Sequence, residues 1–153
     1  MFKFSLGVGV VASVLFCAGM TAAPALAGDD LVEVPIADAL ATPEFKEALD
    51  GSVSFYFGDT AHPAVAHMYG DFVANEKTNG FGKGPMMSCE RAMLSALIKF
   101  QKRAQQLGAN AVINIHSYYK REDVSSNTSV QCYDGFLMSG VALKGDFVKL
   151  GGH

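Results

Sequence analysis

Apolar and polar positions follow two rhythms along the chain, and the longer one lies between Cys89 and Leu107. There Met93, Leu97, Phe100, Ala104 and Leu107 recur at spacings of three and four, and Leu94 and Ile98 widen the stripe. The pattern predicts one amphipathic helix. Ser88 suits its N-cap, Glu90 the positive end of its dipole, Lys102 and Arg103 its last turns, and Gly108 a left-handed C-cap.

The second rhythm has period two. "NAVINIHSYY" alternates directly after the helix, with Ala111, Ile113 and Ile115 on one face and Val112, Asn114, His116 and Tyr118 on the other. "KREDVSSNT" is a solvated loop, and "SVQCYDGFLMSGVALKG" reads as the antiparallel return. Its Asp134-Gly135 pair fits either a two-residue hairpin turn or a bulge within one long strand. Upstream, Val53, Phe55 and Phe57 mark a strand. "PAVAHMYGDFVANEK" marks another, bent at Gly70, and "TNGFGKGP" is a loop. "DLVEVPIADAL" suggests a short strand, and "TPEFKEAL" a short helix with Thr42 as N-cap and Pro43 at its first position. The fold class expected is α+β: an antiparallel sheet of three to five strands packed on one main helix at about 88–107.

The first residues carry neither rhythm. Lys3 precedes an almost wholly apolar run, Leu6 to Met20, and "APALAGDD" ends it with the small-x-small pattern Ala25-Leu26-Ala27. This predicts a secretory signal peptide over 1–27, cleaved after Ala27. A retained anchor is the alternative, but the run is shorter than the roughly 20 residues of a span. A lipid on Cys17 is disfavoured by the bulky Phe16 before it. Cleavage takes away Lys3 and none of the 15 acidic residues, so the net charge of −3 becomes −4. The remaining chain is long enough for one domain without a membrane span, and the lack of a basic excess argues against nucleic acid as a partner. Cleavage also leaves two cysteines, Cys89 and Cys132. In an oxidising compartment they are most simply a disulfide, and a redox-active or metal-binding pair is the alternative.

A helix followed by "LGANAVINI", a polar loop and a closing "MSGVALKG" resembles the YbjQ-type heavy-metal-binding family. The likeness spans Val53 to Lys144 and is strongest from Arg91 to Ala142. The domain is also similar to the RcsF-type envelope-stress sensors. In those, a disulfide ties the helix start to the closing strand, as Cys89 and Cys132 would here. Their second bridge has no counterpart, since His116 and Met138 stand near its positions. Small exported bacterial proteins labelled as excinuclease subunits look similar too, yet the chain has no phosphate-binding loop and no paired CxxC. The organisation implied is a signal peptide over 1–27, an N-terminal segment over 28–50, the YbjQ/RcsF-like domain over 51–146 and a tail over 147–153. The YbjQ likeness implies ring-shaped homo-oligomers.

The "LGANAV" turn has an architectural reading. Gly108 can take positive φ, Ala109 and Ala111 let the strand lie close to the helix, and Asn110 can bond backbone across the corner. Asn114, His116 and Tyr118 then share a mixed face and form the candidate surface for a small ligand or an envelope partner. His62, His67 and His116 are the candidate ligands for a soft transition metal such as copper or zinc. In "HPAVAH" the odd spacing puts His62 and His67 on opposite faces of a strand. His153 is terminal. No Ser/His/Asp arrangement has recognisable spacing, so the expectation is a non-enzymatic exported binding or envelope-associated protein. Metal buffering and thiol–disulfide sensing are the alternatives.

Overall fold

The computed structural model describes residues 29–151. The expected signal peptide with its Cys17, and His153, lie outside them. Strand β1 (Asp30–Pro35) leads into α1 (Ile36–Ala41), α2 (Pro43–Ala48), β2 (Ser54–Phe57), β3 (Val65–Asn79), α3 (Pro85–Leu107), β4 (Ala111–Ser117), β5 (Ser129–Asp134) and β6 (Met138–Leu150). One mixed, mostly antiparallel sheet of six strands packs on the main helix α3.

β6 organises the sheet. β3 pairs along its whole length, from Val65 opposite Leu150 to Asn79 opposite Met138. On the other edge β4 takes the C-terminal half and β5 the first residues, so the sheet forks there. β1 extends the β5 branch and β2 the β4 branch. Apolar side chains of β6 on one face, Val141, Leu143 and Phe147, meet Met93, Leu97 and Phe100 of α3. Burying each such side chain is worth about 1.5–3 kcal/mol. Phe147 sits edge-on between Phe72 and Phe100, with ring centroids 5.0 and 5.2 Å away.

The α+β class expected from the pattern is the one observed, and several details differ. α3 begins a turn early, with Gly84 at its N-cap and Pro85 at the first position, where proline's fixed φ and missing N–H cost nothing. Ser88 is therefore inside the helix and fully buried. "IADALA" leaves the strand at Pro35 and forms α1. Thr42 caps α2 as expected, its hydroxyl accepting from the Phe45 N–H. The β2–β4 pair is parallel rather than antiparallel, because β3 and α3 supply the long crossover that a parallel pair needs. Asp134-Gly135 opens a true hairpin, closed by the Gly135 N–H donating to Met138 O at 2.9 Å. Residues 28–50 are no separate segment as far as they are described: β1 is a sheet strand, and Val34 and Phe45 join the core. Nor is 147–153 simply a tail, since β6 runs on to Leu150 with Phe147 and Val148 fully buried.

Cys89, in the first turns of α3, and Cys132 on β5 form a disulfide with Cα atoms 5.7 Å apart. The bridge joins residues 43 apart in sequence, which in the loop-entropy argument is worth about 4 kcal/mol.

Candidate functional site

The site begins with a turn and a bulge. Gly108, at φ 78°, caps α3 through its N–H to the Ala104 and Gln105 carbonyls. Asn110 then ties the corner to the end of β6. Its N–H donates to Val148 O, its Nδ2 donates to Leu150 O at 3.4 Å, and its Oδ1 accepts from the Leu150 N–H at 2.7 Å. The corner fixes where β4 starts, and therefore which of its residues face outward.

Midway along β4 the alternation breaks. Ile113 lies opposite Asp146 and His116 opposite Lys144, so β4 spends one residue more than β6 over that span. The extra residue is a bulge at Asn114, whose φ is 52°, a left-handed conformation that asparagine tolerates better than most residues. The faces expected from strict alternation are corrected accordingly. Val112 and Ile115 point into the core together, whereas Ala111 and Ile113 pack with Val148 on the outer face. His116 shares that outer face.

The loop after β4 closes over the histidine. Lys120 and Arg121 both have positive φ, 52° and 66°, and reverse the chain. A bridge between Ser117 and Val124, each N–H donating to the other's carbonyl, then returns it to β4. This delivers Asp123, whose Oδ1 lies 2.7 Å from His116 Nε2, while His116 Nδ1 lies 2.7 Å from Asn114 O. Both neighbours are acceptors, so both contacts are hydrogen bonds only when each ring nitrogen carries a proton. His116 is 8% exposed and forms the floor of a cavity of about 350 Å³, lined also by Asp71, Asn114, Asp123, Ser125, Lys144 and Asp146.

The walls hold one another in place. Lys144 Nζ lies 3.4 Å from Asp71 Oδ2 and 4.9 Å from the Tyr118 ring centroid. Asn114 Nδ2 donates to Asp146 Oδ2 at 3.3 Å. The Asp71 carboxylate raises the Lys144 pKa above its ordinary value, outweighing partial desolvation, with the Asp123 charge adding to the effect. Three carboxylates against one ammonium leave the cavity net negative whether or not His116 is charged. Such a hollow favours a cationic group and can receive its N–H donors on carboxylate oxygens.

Asn114, His116 and Tyr118 are thus brought together, Tyr118 through Lys144. His62 and His67 go elsewhere. His62 lies in the loop after β2, with Nδ1 2.8 Å from Pro63 O and its ring edge-on to Tyr56. His67, on β3, packs edge-on to Tyr69 at 4.6 Å. Among the described residues no three His, Cys, Asp or Glu side chains are grouped to hold a metal ion. Sequence reading missed Asp71, Asp123, Ser125, Lys144 and Asp146. A signal for two of them was present in "LKGDF", where Lys144 and Asp146 alternate with the core-facing Leu143, Gly145 and Phe147. No protein-family model, curated protein or solved structure matches this chain.

Proposed function

We propose that this is an exported, non-enzymatic binding protein of the cell envelope, related to the YbjQ-type and RcsF-type domains, and that the outer-face cavity is its site. The observation that carries the reading is His116. A nearly buried imidazole has an acceptor oxygen 2.7 Å from each ring nitrogen and lies beneath an open, net-negative hollow, for which it forms a positioned floor. Export is supported by the leader and by the Cys89–Cys132 bridge. No helix among the described residues is long and apolar enough to cross a membrane.

The cavity's charge points to an amine or guanidinium group on the partner. Envelope proteins captured on the immobilised protein test this, with free arginine as competitor and Asn114→Ala and Tyr118→Ala as variants. The expected result is a partner that free arginine displaces and that both variants lose while keeping wild-type circular dichroism. Capture indifferent to arginine and to both substitutions would remove the cavity from consideration.

A further inference from the structure

Two loops meet at one end of the sheet. The Gly80 N–H, in the loop after β3, donates to Leu137 O of the β5–β6 hairpin at 3.0 Å. Phe81, Leu137 and Met138, together with Asn79, line an almost wholly apolar hollow of about 540 Å³. Phe136, next to Leu137, is 84% exposed, Phe81 68% and Leu137 59%. Gly135 to Met138 carry no charge. A hairpin turn has no need of large apolar side chains, and polar ones serve it as well. A contiguous exposed patch of this kind marks a contact surface.

The route of the chain indicates what the patch meets. Asp29 lies against the same hairpin, since a Cβ built on Gly135 would come within 2.8 Å of its Oδ1, and Asp30 pairs with Asp134. The preceding 28 residues, with their apolar run from Leu6 to Met20, therefore join the fold beside Phe136 and Leu137. The apolar run ahead of Asp29, the expected export leader, is thus attached to the domain at this end. We infer that the apolar tip formed by Phe81, Phe136, Leu137 and Met138 seats in the interface of a phospholipid bilayer, on the side from which the leader emerges. Asp29, Asp30 and Asp134 offset Lys77 and Lys83, so the attraction is apolar rather than a response to anionic headgroups.

The buried core lies between Val34 and Val148, so the leader-free chain from Gly28 retains all of it. That chain is floated with vesicles of phosphatidylcholine alone and of phosphatidylcholine mixed with phosphatidylglycerol, at low and high salt. Wild type is expected to float with both, with little salt dependence. The double variant Phe136→Ser/Leu137→Ser is expected to partition at least about tenfold less. Met68→Ser, which changes an exposed apolar residue near the far end of β3, is expected to float like wild type. The inference is overturned by wild type staying in solution, by a double variant that floats unchanged, or by Met68→Ser losing as much. It is equally overturned if the tip drives concentration-dependent dimers that do not bind vesicles.

Discussion

Gly145 and Lys144 sit side by side on β6, one set by packing and the other by charge. A Cβ on Gly145 would lie 2.6 Å from Val112 Cγ1, 3.2 Å from Ile115 Cγ1 and 3.4 Å from Phe100 Cε2. Gly145→Ala is thus an overpacking change at the point where α3, β4 and β6 meet, and is expected to cost about 1–3 kcal/mol. Urea unfolding with an unchanged midpoint would contradict this. Lys144 acts through its proton. Its pKa is raised in the fold by Asp71, so its contribution is fully present below the ordinary value of 10.5 and is lost as pH rises through the folded value. Tyr119 has the same sign: burial first, then its hydrogen bond to Asp29, raise it above 10.0. Wild type should therefore lose stability on the alkaline side, and Lys144→Met combined with Tyr119→Phe should flatten that loss. Melting curves across alkaline pH that fall equally in both proteins would contradict the assignment.

At the scale of elements, what was legible in the sequence was whatever local pattern decides. The stripe of α3, the Thr42 cap of α2 and the Gly108 C-cap are short-range signals, and each appears where its residues place it. The faces of β4 were not legible, because the bulge at Asn114 arises from pairing with β6, and period-two reading has no means of counting the partner's residues. The parallel β2–β4 pair was missed for the same reason. Three of the eight residues at the candidate site followed this rule. Asn114, His116 and Tyr118 share one stretch, whereas Asp71 and Lys144 reach it across the sheet and Asp123 through a loop reversal. The bridge is an element-scale feature as well. Removing it with Cys89→Ala/Cys132→Ala is expected to cost about 4 kcal/mol. Both cysteines are fully buried, so mild thiols are expected to reduce the bridge only as fast as the domain opens. Rapid reduction of the folded protein would instead favour a redox role.

The whole molecule has two differently equipped regions. The outer sheet face carries an acidic polar cavity over His116, and one sheet end carries the apolar tip beside Asp29. Between them the helix, sheet and disulfide form one core. The central proposal is an exported, bridged domain that carries no metal. Native mass spectrometry of the protein recovered from its own envelope tests that most directly. The predicted species begins at Gly28, carries no lipid and no metal, and is two hydrogens lighter than the reduced chain. A chain with free thiols and a stoichiometric metal ion would contradict the account and favour the metal-binding role implied by the YbjQ likeness.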